Sequence, residues 1–323
     1  MQSDDNPSSV TPSSRRLRRW APASAALLLV ATPFLFPISL GFLVVLGVFF
    51  LVVLGLDVFL GQTGQVSLGQ TLFMGLGAYV AGILALNHGV PTVVALAVAA
   101  LVSAGVAYLV GRPLLKLRGY YLALATLGLA VITESLATGL GGVTGGPSGL
   151  AGIPNIGIGP FVASSDLSNY YIVLAVCAAG ALFVHGVRRS PTGRALAAVA
   201  ADQQAASMLG IDTARYKTRA FVLAAVFASV AGSLYAFYSR FMSPELVGVI
   251  VAFNLVVMLA LGGSRSIVGP FVGVLLLQVM PQLGQSVALY QPLIAGVVLI
   301  VVITYLPEGI WGGLKSVLGK RWS

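Results

Sequence analysis

Two carboxylate side chains, those of Asp57 and Glu134, lie within long apolar stretches of this 323-residue sequence. A charge inside a lipid bilayer is costly, so an ionisable residue there usually contacts a solute or an ion, or pairs with another charge. Neither residue has an obvious basic partner within the apolar stretches. Both are therefore candidates for a functional role, with a position near the membrane surface as the alternative for each.

Motifs for catalysis, for a metal or for a bound cofactor are not found in the sequence. The GKR sequence at 319–321 has Leu314 where a phosphate-binding loop needs glycine, and no Ser or Thr follows Lys320. His88 and His185 are far from each other and from any Cys or carboxylate at metal-ligand spacing. No G-x-S-x-G sequence follows a strand pattern. We therefore expect no enzyme activity, no metal and no cofactor.

The composition predicts an all-α polytopic membrane protein. Hydrophobic residues make up 58% of the chain and charged residues 8%, which is outside the range of soluble globular proteins. No Lys or Arg occurs from Ala21 to Gly111. Several apolar segments, each long enough to cross a bilayer, therefore follow one another.

About ten membrane spans are predicted, and eight is the alternative count. The least secure division separates the first two spans, because Pro33 and Pro37 fall inside the first of them. The predicted spans are 24–40, 41–60, 67–87, 91–111, 119–139, 169–187, 219–239, 246–262, 266–285 and 289–306.

The net charge of +9 comes from short basic runs at the edges of the apolar segments, not from a face that could bind nucleic acid. Ten spans place every run on one side of the membrane, which the positive-inside rule identifies as the cytoplasm. Arg240 and Arg265 fit this charge pattern less well. Both termini are then cytoplasmic. The runs are Arg15, Arg16, Arg18 and Arg19; Arg112, Lys116 and Arg118; Arg188, Arg189 and Arg194; Arg215, Lys217 and Arg219; and Lys315, Lys320 and Arg321.

Three regions follow from this pattern. Residues 1–20 are predicted to be a disordered, basic, cytoplasmic N-terminus. Residues 21–308 form the transmembrane domain, which includes a cytoplasmic segment at 188–218. Residues 309–323 form a cytoplasmic C-terminal tail.

Small residues recur at every fourth position in two predicted spans. Such faces let helix backbones approach closely within lipid, so we expect them to serve helix packing. They comprise Ala95, Ala99, Ser103, Ala107 and Gly111 in one span, and Ala224, Ala228, Gly232 and Ala236 in another.

Two uncharged polar or glycine-rich stretches interrupt the apolar pattern. GQTGQVSLGQ at 61–70 predicts non-helical backbone beside a path through the membrane, with an ordinary turn at the membrane surface as the alternative. GGVTGGPSGLAGIPNIGIGP at 141–160 falls on the outer side, either as a structured loop or as a flexible connection. The candidate residues are Gln62, Gly64, Gln65, Ser67 and Gln70 in the first stretch, and Thr144, Gly145, Gly146 and Pro147 in the second.

A third unusual stretch, ADQQAASMLGIDTARYK at 201–217, reads like part of a soluble helical protein. Its alanine content predicts a helix over about 195–209 that ends at Gly210, and Asp212 is predicted to cap a short second helix. Ala205, Met208, Leu209 and Ile211 would then be apolar and exposed unless a soluble partner covers them.

QAASMLG at 204–210 resembles the EAA…G signature of permease subunits of ABC importers, with Gln204 in place of the usual Glu. The wider chain is similar to LivM-type permeases of branched-chain amino acid importers. The similar blocks are GQTGQVSLGQTLFMGLGAY (61–79), LRGYYLALATLGLA (117–130), TGGPSGLAGIP (144–154), the long block from SPTGRALAAVA to SLYAFY (190–238), SPE (243–245), LGGSRSIVGPFVGVLLL (261–277) and PEGIWG (307–312).

This resemblance implies a multi-pass permease subunit in the inner membrane of a bacterial cell. Its partners would be a second, homologous permease, cytoplasmic ABC ATPase subunits and an external solute-binding protein, with no role for nucleic acid. ATP would be bound by the partner subunits. The residues implied in ATPase coupling are Gln204, Ala205, Ala206, Leu209, Gly210, Ile211, Arg215 and Lys217.

The resemblance also implies a branched-chain amino acid as cargo, and adds Thr126 and Glu134 to the candidate path residues. Two departures affect this expectation: Val131 stands where many relatives carry Glu, and Gln70 stands where His is common. Urea or a short amide is the alternative cargo. An ion-coupled secondary transporter and a purely structural membrane protein are the alternative classes.

Overall fold

A computed structural model of the chain describes residues 40–117, 119–158, 161–283, 290–306 and 309–320. The predicted N-terminal region at 1–20 and the predicted first span, except for Leu40, lie outside these residues. Arg118 and the last three residues of the predicted tail also lie outside them.

The described residues are mainly helical. In chain order the helices are α1 Leu40–Leu56, α2 Gln70–Asn87, α3 Thr92–Leu114, α4 Tyr120–Gly139, α5 Gly141–Thr144, α6 Asp166–Arg189, α7 Pro191–Ala201, α8 Gln203–Met208, α9 Thr213–Ser239, α10 Val249–Gly262, α11 Val268–Val279, α12 Gln291–Tyr305 and α13 Gly309–Lys320. A π-helical turn, Asp57–Gly61, extends α1, and 3-10 turns occur at Gly146–Ser148, Pro244–Val247 and Met280–Leu283.

Four two-residue strands complete the described structure. They are β1 Leu150–Ala151, β2 Gly157–Ile158, β3 Phe161–Val162 and β4 Phe241–Met242. β1 pairs with β4 and β2 pairs with β3, both antiparallel.

Six helices in the described residues are long and apolar enough to cross a membrane: α1 with its extension, α2, α3, α4, α6 and α9. Each coincides with a predicted span, so a polytopic helical membrane protein is confirmed. The last three predicted spans coincide with α10, α11 and α12, which have 14, 12 and 15 residues. These are shorter than the roughly 20 residues that cross the hydrocarbon core. The predicted count of about ten spans is therefore not confirmed.

Two glycines bring the backbones of α2 and α9 into direct contact at the centre of the bundle. A Cβ atom on Gly232 would collide with the Met74 carbonyl, and one on Gly77 would collide with the Ser229 carbonyl. The Ser233 hydroxyl also lies 3.0 Å from the Gly77 carbonyl, to which it donates a hydrogen bond. The small-residue face predicted on 219–239 is thus confirmed as a packing face.

The small-residue face predicted on α3 is confirmed as well. The buried residues of this helix are Thr92 and the five small residues of the predicted face: Ala95, Ala99, Ser103, Ala107 and Gly111. At Gly111, a Cβ atom would lie 2.8 Å from the Phe221 ring of α9. Leu101 and Leu109, on the other side of α3, are more than 70% exposed. This side is therefore available to lipid or to another subunit.

Contacts between helix ends bring the described parts of three basic runs, those near Arg112, Arg188 and Arg215, to one end of the bundle, which we call the basic end. Lys217 on α9 contacts Leu115 after α3, and Arg188 on α6 contacts Asp57 on α1. Arg265 lies at this end too, because its side chain donates to the Gly61 carbonyl at 2.9 Å. The exposed basic residues of the basic end include Arg112, Lys116, Arg189, Arg194, Arg215 and Arg219.

At the opposite end, the glycine-rich stretch after α4 forms a structured loop. The Thr144 hydroxyl lies 2.7 Å from the Ala137 carbonyl, and Gly145 and Gly146 adopt φ angles of 80° and 60° that glycine tolerates. Pro147 lies in the following 3-10 turn, and the pairing of β1 with β4 ties the loop to the end of α9. Arg240 lies at this end, where its carbonyl accepts from the Gly152 amide, and is an exception to the charge pattern.

Candidate functional site

Most of the polar stretch at 61–70 is buried in the bundle, and Gly64 and Val66 are its exposed residues. Its central part, 64–69, is not helical, and Ser67 is fully buried. The Leu68 amide donates a hydrogen bond to the Thr126 hydroxyl at 3.0 Å. Thr126 is six residues beyond the start of α4, or about 9 Å along a helix that rises about 1.5 Å per residue. Irregular backbone at such a depth is tolerated where it is surrounded by protein or lines a cavity.

Several side chains of this stretch carry buried polar atoms without a protein partner. Within the described residues, both amide atoms of Gln62 and Gln70 and the carbonyl oxygen of Gln65 make no hydrogen bond. Gln70 is 1% exposed. Because buried amide groups are strongly favoured to be hydrogen-bonded, these atoms retain unused hydrogen-bonding capacity inside the bundle. Gly64 lies nearest the basic end, where a Cβ atom on it would be 3.7 Å from the Ala200 carbonyl of α7.

A second interruption enters the bundle from the opposite end. After α9 the chain turns inward through β4 and the 3-10 turn Pro244–Val247, and Val247 packs against Gly75 of α2. Helix α10 therefore begins within the bundle. The Glu134 carboxylate lies at this start and accepts a hydrogen bond from the Val249 amide at 3.4 Å.

Glu134 has a partner that was not predicted from the sequence. Its partner is a helix N-terminus, whose free amides and macrodipole stabilise a negative charge, rather than a basic side chain. The two partners, Glu134 and Val249, are 115 residues apart, so no local pattern in the sequence indicates their contact.

The two interruptions meet on one face of α4. Leu68 from the first and Ala252 from the start of α10 form a buried cluster with Ala130. Ala130 lies one helical turn after Thr126 and one turn before Glu134. We call this region the α4 junction, defined by Thr126, Ala130 and Glu134 with the segments 64–69 and 243–248. It combines the apolar surface of this cluster, the unpaired Gln65 side-chain oxygen and the start of α10, and Gln70 directly follows segment 64–69.

Asp57 lies away from the α4 junction, at the basic end. It is fully buried and forms an ion pair with Arg188, while one carboxylate oxygen accepts from the Arg265 amide at 2.8 Å. Arg188 also donates to the Ser266 carbonyl at 3.2 Å. The expectation that Asp57 lacks a basic partner is therefore wrong. These contacts join α1, α6 and the loop before α11, which indicates a structural role.

The stretch at 188–218 forms two helices where one was predicted over 195–209. The chain leaves helical geometry at Asp202, whose carboxylate accepts from the Gln204 amide at 2.7 Å and the Ala205 amide at 3.1 Å. This is the N-cap arrangement that aspartate favours over a position inside a helix. Gly210 has a φ angle of 81° and ends α8, as predicted.

The second predicted helix is not short. Asp212 caps it, as expected, by accepting from the Arg215 amide at 3.0 Å. The capped helix, however, is the 27-residue α9 itself. Only residues 209–212 separate α8 from this central helix.

Most of the residues predicted to contact a soluble partner are accessible. Met208 and Leu209 are 87% and 81% exposed. Of the eight predicted residues, those that are exposed are Gln204, Ala205, Leu209, Gly210 and Arg215, and Ile211 is half-buried. Ala206 and Lys217 are buried, so a part for these two in ATPase coupling would be indirect and stays a prediction.

Lys217 instead joins the two short helices to the bundle. Its ammonium group donates to the Leu115 carbonyl at 3.2 Å and to the Gln203 side-chain carbonyl at 3.3 Å. Burial of a lysine is favourable only when its charge is satisfied in this way. The residue therefore connects α8, α9 and the end of α3.

Comparison with known proteins identifies relatives of this chain. A family model described as branched-chain amino acid transport system / permease component matches residues 38–305. The high-affinity branched-chain amino acid transport system permease protein LivM of Escherichia coli is 30% identical over 261 residues, which cover 74% of this chain and 61% of the relative. LivM of Salmonella typhimurium is 29% identical over 261 residues, which again cover 74% of this chain and 61% of the relative.

A second permease protein of that system, LivH of Escherichia coli, is 34% identical over 128 residues, 39% of this chain and 41% of the relative. This chain thus spans 61% of the length of the LivM relatives that it matches. No solved structure matches the chain.

Proposed function

The chain belongs to the family of permease components of branched-chain amino acid transport systems, and on this premise we propose that it is one membrane subunit of an ATP-driven importer. Its cargo in this proposal is leucine, isoleucine or valine. Its partners are a second permease, two ATPase subunits that bind ATP, and an external solute-binding protein. The basic end faces the cytoplasm, in accordance with the positive-inside rule, and the membrane is the inner membrane of a bacterium.

The observation that carries this proposal is the α4 junction. Two helix interruptions within a membrane bundle are typical of solute sites in transporters, because the freed backbone groups can bind cargo. The aliphatic side chain of the cargo suits the apolar surface at Leu68, Ala130 and Ala252. Its charged ends suit unpaired amide atoms such as those of Gln70, and the helix start beside Glu134.

The same amide atoms favour a second cargo. Urea and short amides bind through hydrogen bonds alone, and buried, unpaired amide groups on Gln62, Gln65 and Gln70 could supply these. An ion-coupled carrier receives less support, because Asp57 and Glu134 both contact other groups of the protein.

In this proposal the ATPase subunits couple ATP hydrolysis to this subunit through α8. The exposed surface of Met208 and Leu209 supplies an apolar contact for an ATPase groove, as helices do when they dock on soluble partners. Motion of α8 displaces α9 through residues 209–212, and α9 moves α2 through their glycine contact. Because α2 begins at Gln70, this motion reaches the α4 junction and opens the path alternately to the two sides.

Uptake by the complete transporter tests this proposal. The chain is reconstituted in liposomes with its partner permease, the ATPase subunits and the binding protein, and uptake of radiolabelled leucine is measured with and without ATP. We expect ATP-dependent uptake that excess valine inhibits and excess urea does not. Inhibition by urea alone would establish the second cargo. Uphill transport by the chain alone on a proton or sodium gradient would contradict the importer class.

A further inference from the structure

An open groove of about 1160 Å³ lies at the basic end between the end of α3 and the start of α9. Its lining changes along the helices. Near the helix ends the groove carries the basic residues Arg112, Lys116 and Arg219. Deeper in the bundle it is lined by Tyr108 and by an apolar strip on α9 that comprises Val222, Leu223 and Val226. The groove therefore has a charged mouth and an apolar interior.

Within the described residues, no carboxylate pairs with the basic residues at the mouth. The one carboxylate that lines the groove is Asp212, which lies 3.6 Å from the exposed Arg215. Among the described residues, Arg112, Lys116 and Arg219 form no ion pair and are exposed. The Arg112 guanidinium lies 4.4 Å from the centre of the Tyr108 ring, which holds it at the groove without a counter-charge.

We propose that this groove binds an anionic phospholipid. The headgroup phosphate pairs with Arg112, Lys116 and Arg219, and an acyl chain follows the apolar strip on α9. A basic pocket between membrane helices at the cytoplasmic surface is suited to such a headgroup. A free phosphate ion could use the charged mouth but would leave the apolar part of the groove unused, and a zwitterionic lipid would not neutralise the cluster.

The position of the groove gives the bound lipid a role. Lys217 and Gln203 line the groove and form the hydrogen bond that links α9 to α8. A lipid headgroup beside this link shields it from water and strengthens it. The occupied groove therefore stiffens the connection between the exposed helix α8 and the membrane bundle.

Lipid retention by the purified full chain tests this inference. The protein is placed in nanodiscs that contain equal amounts of phosphatidylglycerol and phosphatidylcholine with the same acyl chains, and lipids retained after release are measured by native mass spectrometry. We expect phosphatidylglycerol to be retained in preference to phosphatidylcholine. In the triple variant R112Q/K116Q/R219Q the preference should disappear, with roughly a fivefold loss for each charge removed.

Two matched variants separate this site from general surface charge. R189Q/R194Q removes two exposed basic residues elsewhere at the basic end and should keep the preference. R112K/R219K keeps the charges and should also keep it. If the triple variant does not fold, wild-type protein is measured at rising salt, which should release phosphatidylglycerol selectively because the contact is ionic.

Three results would overturn the inference: equal retention of the two lipids by the wild type, an unchanged preference in the triple variant, or displacement of the lipid by millimolar inorganic phosphate. A triple variant that keeps its lipid preference but no longer co-purifies with ATPase subunits would assign the groove to a protein partner instead. These readouts do not require transport, so they are independent of the proposed cargo.

Discussion

Asp57 and Arg188 form an ion pair that connects α1 to α6 at the basic end of the bundle. The carboxylate is fully buried, whereas 19% of the arginine side chain is exposed. The Arg265 amide and the Gly61 carbonyl extend the network to the loop between α10 and α11. Three separate parts of the chain are thus held together by this charged group and its partners.

Loss of this pair is expected to destabilise the protein. Asp57→Asn leaves the Arg188 guanidinium partly buried without its counter-charge, and removal of one partner of a buried pair costs about 3 kcal/mol. The free energy of unfolding in detergent, measured by denaturant titration, should fall by this amount. Arg189→Gln, which changes the exposed neighbour, should alter it by less than about 0.5 kcal/mol. Equal effects of the two changes would exclude a structural role for the pair.

Docking of the ATPase should depend on the apolar surface of α8. Met208 and Leu209 are almost fully exposed and have no packing role within the described structure, so Met208→Asp with Leu209→Asp should leave folding intact. Co-purification of the ATPase subunits should fall by at least about tenfold, because a charge would be buried in an apolar contact. The matched variant Met208→Leu with Leu209→Met should co-purify normally. Undiminished co-purification of the aspartate variant would place the docking surface elsewhere.

Lys217 should transmit motion rather than bind the ATPase. Lys217→Met keeps most of the buried aliphatic stem but removes the ammonium group that contacts Leu115 and Gln203. We expect ATPase subunits to remain bound while leucine transported per ATP hydrolysed falls severalfold, since α8 is then less firmly joined to the bundle. The rate of leucine transport and the rate of ATP hydrolysis are measured in the same liposomes, with Arg189→Met as the control. A loss of ATPase binding in Lys217→Met would contradict this assignment.

Glu134 should affect handling of the cargo. Glu134→Gln keeps an acceptor for the Val249 amide but removes a negative charge at the start of α10, a change worth about 0.3–1 kcal/mol to the helix. That stability change is small, so the fold should persist. We expect the KM for leucine uptake to change severalfold, because the charge lies at the α4 junction. Glu245→Gln, which alters an exposed carboxylate just before α10, is the control, and identical KM values for the two variants would leave Glu134 with its helix-capping role alone.

Local patterns in the sequence predict local features of this fold well. The repeat of small residues at every fourth position identifies the packing faces of α3 and α9, and Gly210 marks the end of α8. The break at Asp202 could also have been predicted, because an aspartate before a helical segment favours the N-cap position. The alanine-rich composition instead suggested an unbroken helix.

Contacts between distant parts of the chain could not be predicted in the same way. The partners of Asp57, Glu134 and Lys217 are 131, 115 and 102 residues away, at Arg188, Val249 and Leu115. Hydropathy also does not reveal that α10 starts inside the bundle, because an inward-turning apolar segment and a full span have the same composition. For the polar stretch at 61–70, the sequence left two alternatives open: non-helical backbone beside a path through the membrane, or an ordinary turn at the membrane surface.

The direct backbone contact between α2 and α9 decides where the molecule can bend. With no side chains between them at Gly77 and Gly232, neither helix can slide without loss of the Ser233 hydrogen bond, so relative movement of the two helices is disfavoured. Bending is therefore favoured outside this pair. The irregular segment 64–69, which precedes α2 on the basic side, is a place where the backbone can rotate.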